Sequence, residues 1–171
     1  MKSFIAATIA ALVSADQSDF PADSWNHARC HVTASFDVDC ASLYEVMLPM
    51  ISSWDPEPLD TPGYYTVYED SSDVYIWSQR LTYNQVYIDD QLFDFYPQGT
   101  TGCQIVGRSR SEAESIGDNG VNFCNLWNVY NGEQVTDIAT VTIDDVFNCS
   151  QDPSDPVTNC ARYEPNPLVQ F

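Results

Sequence analysis

Residues 102–132 read GCQIVGRSRSEAESIGDNGVNFCNLWNVYNG and hold Cys103, Cys124 and five of the seven glycines. Cys103 to Glu112 reads as a strand, with Arg108, Arg110 and Glu112 along one of its faces. Gly117-Asp118-Asn119-Gly120 has the composition of a turn. Val121 to Tyr130 fits either a strand or a short helix, and its pattern does not separate the two.

Upstream, Cys30 to Val38 alternates. Val32, Ala34, Phe36 and Val38 share one face, and His31, Thr33, Ser35 and Asp37 the other, as in a half-buried strand. Asp39 is placed to cap a helix. Leu43, Val46, Met47, Met50, Ile51 and Trp54 then recur at helical spacing. Pro49 inside that stripe predicts a kink or a break, because it removes a hydrogen bond and crowds the preceding turn. Tyr64 to Tyr68 and Val74 to Thr82 read as a hairpin about the turn Glu69 to Asp73. Val86 to Tyr96 is a further strand, and Thr136 to Phe147 a last one. Strand, helix, then a run of strands predicts an α+β domain. The expected form is a single curled antiparallel meander with one main helix, kinked or split at Pro49, on its concave face.

Lys2, the apolar run Phe4 to Val13, and the small residues at Val13-Ser14-Ala15 make residues 1–15 a secretory signal peptide, too short to span a bilayer. An extracellular location follows as the expectation. Residues 16–29 form a polar leader arm, 30–161 a disulfide-stabilised domain, and 162–171 an extended tail. Removing fifteen residues from 171 leaves 156, enough for one domain with a real core. Without Lys2, five arginines face 25 acids, a formal charge of −20. Such a surface repels nucleic acids and anionic membranes and attracts cations.

Six cysteines in a secreted chain predict three disulfides. Cys149 and Cys160 flank a polar loop and are expected to close it. Cys30 and Cys40 end a strand-like run roughly 30 Å long if extended, too far to pair. Cys30 and Cys40 then cross to Cys103 and Cys124, in either of two arrangements, and Cys103–Cys124 is excluded.

With all thiols oxidised there is no thiolate nucleophile, and no G-x-S-x-G elbow is present. Two histidines are too few for a zinc site. Calcium needs clustered oxygens; Asp89, Asp90, Asp118 and Asn119 are weak candidates without EF-hand spacing. No cofactor is expected. Arg108 and Arg110 are a candidate anion site, the alternative being that they neutralise strand acids such as Asp89 or Asp94. Asn148-Cys149-Ser150 is a sequon, making Asn148 a candidate glycosylation site.

Gln104-Ile105-Val106-Gly107 resembles the Q-x-V-x-G hairpin of cystatins, which implies protease inhibition; here the glycine comes one position early, with Arg108 in its place. Tyr87-x-Asp89-Asp90-Gln91-x-Phe93-x-Phe95, Gly102-Cys103-Gln104, Ser111-Glu112 and Asn122-Phe123-Cys124-Asn125-Leu126-x-Asn128 resemble an uncharacterised family of small secreted, cysteine-containing proteins of single-celled eukaryotes. That resemblance covers about residues 30–130 and implies a domain without an assigned activity.

The expected function is non-catalytic binding. The helix residues Leu43, Met47, Met50 and Trp54 are expected to face Trp77 and Phe93 on the sheet, the space between them filled or open to a small apolar ligand. An extracellular protein is the other partner considered. The alternatives are a calcium-responsive structural protein of a coat or secretory granule, a protease inhibitor, or a carboxylate-based hydrolase.

Overall fold

The computed structural model describes residues 17–54, 63–82, 85–150 and 160. The expected signal peptide (1–15), the tail (162–171) and most of the 149–160 loop lie outside the described residues. In chain order the elements are β1 (Arg29–Phe36), α1 (Cys40–Ser52), β2 (Gly63–Ser71), β3 (Tyr75–Thr82), β4 (Ile88–Gln98), β5 (Gly102–Ser111), α2 (Val121–Tyr130), the single turn α3 (Glu133–Thr136) and β6 (Val141–Phe147). The six strands form one antiparallel sheet in the order β2-β3-β4-β5-β1-β6. β2 to β5 are a meander; β1 then pairs with β5, and β6 returns alongside β1.

Pairing fixes which side chains share a face. Phe93 is opposite Ile76 and Gly107, and Gly107 is opposite Val32. These residues carry Cys30, Ala34, Phe36, Phe95, Cys103 and Ile105 onto the same face, and all of them are buried. Both longer helices cover it. α1 begins where Asp39 accepts a hydrogen bond from the Ser42 amide at 3.0 Å, and it runs continuously through Pro49 to Ser52. α2 resolves the ambiguity at 121–130 in favour of helix, so two helices rather than one main helix line this face.

The α2 contact is close enough to dictate a residue. A Cβ on Gly107 would lie 2.1 Å from the Tyr130 hydroxyl, which donates to the Val32 carbonyl at 2.9 Å. Tyr130 also meets Phe36 and Phe93 edge-on. The Gln104–Gly107 run therefore lies inside a strand flanked on both sides, and its glycine makes room for a ring.

Three disulfides are present and no cysteine is free. They are compatible with an extracellular protein. Cys40 joins Cys103, but Cys30 joins Cys149 and Cys124 joins Cys160. The expected Cys149–Cys160 bond is thus corrected, and so are the cross-links from Cys30 to the central stretch and from Cys124 to Cys30 or Cys40. The cause is topological. β6 runs antiparallel to β1 with Phe147 opposite His31, which brings Cys149 beside Cys30. Cys124 is on the buried side of a helix, not in a strand. Among the described residues no helix is long and apolar enough to cross a membrane.

Two outcomes are expected. Peptide mapping should recover Cys30–Cys149, Cys40–Cys103 and Cys124–Cys160; a Cys149–Cys160 peptide would contradict this topology. Gly107→Ala should cost about 1–3 kcal/mol in chemical denaturation, because Tyr130 is held by its hydrogen bond and cannot retreat freely.

Candidate functional site

At one end of the helix-covered face the core turns polar. Ser78, Arg80, Asp89, Gln91, Ser109, Ser111, Asn122 and Asn125 are all buried. Their positions follow from register: Arg80 is opposite Asp89, Asp89 opposite Ser111, and Gln91 opposite both Ser78 and Ser109. α2 contributes Asn122 and Asn125, one turn apart, to the same place.

The network centres on Asp89. Its Oδ1 accepts from the Ser111 hydroxyl at 2.7 Å, and its Oδ2 from Asn125 Nδ2 at 3.0 Å. Arg80 Nη1 stands 3.6 Å from Oδ2, an ion pair beyond hydrogen-bond length. Asn122 Nδ2 bridges Ser111 Oγ at 3.0 Å and Asp118 Oδ2 at 2.6 Å, and the Ser109 hydroxyl donates to Asn122 Oδ1 at 2.7 Å. Ser78 donates to Gln91 Oε1 at 2.8 Å. Burial pushes the Asp89 carboxyl above the ordinary aspartate value, further raised by the charge of Asp118; the Ser111 and Asn125 hydrogen bonds and Arg80 oppose this. Asn125 Oδ1, an acceptor, and Gln91 Nε2, a donor, are buried in this network without a hydrogen-bond partner among the described residues.

In front of Asp89 a cleft of about 420 Å³ opens to solvent. Thr82, Tyr87, Asp89, Ser111, Glu114, Asp118 and Asn119 line it, with Ala113, Ser115, Gly117 and Val121. Its outer wall is the β5–α2 loop. Asp118 caps α2, accepting from the Gly120 amide at 3.1 Å and the Asn122 amide at 2.7 Å, and Gly120 takes the left-handed conformation (φ 81°) that the turn into the helix requires. The loop is also held from outside: the Ser115 amide donates to the Asn26 carbonyl at 2.8 Å, and Asn26 Nδ2 to Glu114 Oε1 at 2.9 Å. Val86, Tyr87 and Ile116 are exposed at or beside the rim.

The sequence candidates are distributed differently from expectation. Leu43, Met47, Met50, Trp54 and Phe93 do converge in the core, and all are buried. Trp77 does not join them. Next to Ile76, it falls on the opposite face with Tyr75 and Leu92, beneath Phe20 of the N-terminal arm. Arg108 and Arg110 lie on that opposite face too. Arg108 reaches Asp94 at 2.9 Å and stacks on Phe20 at 5.1 Å, while Arg110 is flanked by Arg29 and Asp90. Asp89, the other acid considered for them, is on the helix face and pairs with Arg80.

The calcium candidates are likewise divided. Asp89, Asp118 and Asn119 meet at the cleft, whereas Asp90 faces away and accepts from Trp77 Nε1 at 3.0 Å and Gln79 Nε2 at 2.9 Å. No group of three or more acidic, histidine or cysteine side chains among the described residues is arranged to hold a metal. Asn148 is exposed, at a positive φ of 53°; its side chain accepts from Arg29 at 3.0 Å and donates to Asp23.

Sequence reasoning missed Ser78, Arg80, Gln91, Ser109, Ser111, Asn122 and Asn125. Their signal was serine at the inward positions of β5 and asparagine at one-turn spacing in 121–130, legible only once that segment is assigned as helix.

The raised Asp89 carboxyl has a sign. The folded state binds its proton more tightly than the unfolded state, so the Asp89 contribution is fully present below the ordinary aspartate value of 3.8 and is lost as pH rises through the higher folded value. Relative to the wild type, Asp89→Asn should therefore gain stability with rising pH across that window. Parallel stability–pH curves for the two proteins would contradict the assignment. No family model matches the chain, and no curated protein matches it significantly.

Proposed function

We propose that this chain is a secreted, disulfide-braced, non-catalytic binding domain, and that it takes a small ligand through a polar group in the cleft in front of Asp89. One observation carries the reading: a buried carboxyl, fixed on both oxygens by Ser111 and Asn125, forms part of the wall of an open cleft. A preorganised polar group facing a concavity of this size, within the ~300–1,000 Å³ of small-molecule sites, is what ligand recognition requires. The anchoring also favours binding over chemistry, since Ser111 and Asn125 hold the Asp89 carboxyl in one orientation. The β5–α2 loop is braced by Asp118 and Asn26, which lowers the ordering cost on association.

The apolar-ligand reading has less support. Leu43, Met47 and Phe93 are fully buried among their neighbours, and Met50 packs against Gly132 closely enough that a Cβ there would lie 2.4 Å from its sulfur. The protein's own side chains occupy the positions assigned to that ligand.

Chemical-shift mapping against four probes, a fatty acid, a sterol, a disaccharide and an aryl amine, distinguishes the two. Perturbation should centre on Tyr87, Ser111, Asn119 and Val121. Perturbation of the Met47 and Met50 methyls and Trp54 by the fatty acid or sterol, with the cleft silent, would restore the apolar reading.

A further inference from the structure

We infer that the ligand class is a protonated organic amine with an apolar body, its ammonium at Asp89 and its hydrocarbon against Tyr87. The inference rests on the cleft being the binding site, and adds what it selects.

Charge is the first consideration. Asp89, Glu114 and Asp118 line the cleft, and among the described residues no lysine, arginine or histidine does. The α2 N-terminus, which would otherwise attract an anion, is already occupied, because Asp118 accepts from both the Gly120 and the Asn122 amides. An anionic ligand would meet three carboxyl groups and no free helix end.

The acceptors are the second. Asp89 Oδ1 has one donor, the Ser111 hydroxyl, and a carboxyl oxygen accepts two. An open acceptor position on Asp89, with Glu114 and Asp118 in the same lining, calls for a ligand that brings N–H groups and no lone pair, which describes an ammonium better than a sugar hydroxyl. Arg80 offsets Asp89, and Glu114 and Asp118 still leave the cleft net negative and attractive to an ammonium.

The walls are the third. Tyr87 is about half exposed and lines the cleft, offering a ring face to a cation or an aromatic. Val86 is exposed next to it, and Ile116 sits exposed between the lining residues Ser115 and Gly117. Tyr87 in the lining, with Val86 and Ile116 exposed next to lining residues in sequence, suits an arylalkyl or alkyl amine and leaves a fully hydroxylated molecule with unmatched contacts. The strongly negative chain adds long-range attraction for cations.

Titration calorimetry on the secreted full-length protein tests this with phenethylamine, its neutral analogue 2-phenylethanol, and maltose. Salt of about 0.15 M screens the general field of the chain. Phenethylamine should bind at least about tenfold more tightly than 2-phenylethanol, the factor that one charge-assisted hydrogen bond supplies. Asp89→Asn should abolish that preference. Because Asp89 is buried, the surface variants Glu114→Gln and Tyr87→Ala give a second reading without threatening the fold; each should weaken the amine about threefold. Equal binding of amine and alcohol, or binding of maltose alone, would overturn the amine class and leave the cleft as a site. Binding by none of the three probes would overturn the class and count against the cleft reading as well. Amine binding untouched by both surface variants would place the ligand elsewhere and overturn the inference.

Discussion

The arrangement at the cleft depends on a carboxyl group taken out of water. Burying Asp89 without partners would cost several kcal/mol, and the chain answers with a hydroxyl from β5, an amide from α2 and a guanidinium from β3. Each hydrogen bond contributes only about 1 kcal/mol net, but losing one leaves a buried acceptor unmet, at about 1–3 kcal/mol. That asymmetry is what locates α2. The helix cannot slide along the sheet without withdrawing Asn122 and Asn125 from the network, and Tyr130 above Gly107 fixes its other end. With α2 placed, Asp118 caps it, the loop before it is set, and the cleft has its wall.

The sheet sorts the remaining chemistry by a period of two. Asp89 goes in and Asp90 out; Phe93 goes in while Leu92 goes out to meet Trp77. Arg80 is buried with the helices, and Arg29, Arg108 and Arg110 lie together on the other face. There the N-terminal arm covers them: Phe20 on Trp77 and Arg108, Gln17 on Asp94, and Asp23 on Arg29 and His31. An arm that reads as polar leader in the sequence is thus anchored by one phenylalanine, and it also braces the cleft loop through Asn26.

Much of the frame was legible because alternation is a local signal. β1, α1 with its Asp39 cap, and the hairpin of β2 and β3 follow from their own residues, and so does the strand at 102–111. What was not legible is set by pairings distant in sequence. Nothing near Cys149 says that β6 will lie beside β1, so its loop seemed to close on Cys160. Nothing in VNFCNLWNVY favours helix until Asn122, Asn125, Val129 and Tyr130 have a surface to face. Trp77, expected to face the helix, lies on the other side of the sheet because its neighbour Ile76, fully buried, holds the inner side. The candidate site is half visible in the sequence: Asp89, Asp118 and Asn119 stand out as acids and turn residues, while the serines and asparagines that fix Asp89 carry no local signal until the strands pair and 121–130 is helix.

The central claim is that Asp89 on the sheet and Asn125 on α2 are one energetic unit. A double-mutant cycle with Asp89→Asn, Asn125→Ala and the double variant, followed by chemical denaturation at neutral pH, measures it directly. The account predicts a coupling of about 1–2 kcal/mol, beyond the ~0.3–0.5 kcal/mol within which independent sites add. Additivity within that margin would show that the carboxyl does not hold the helix, and would contradict the structural basis of the cleft.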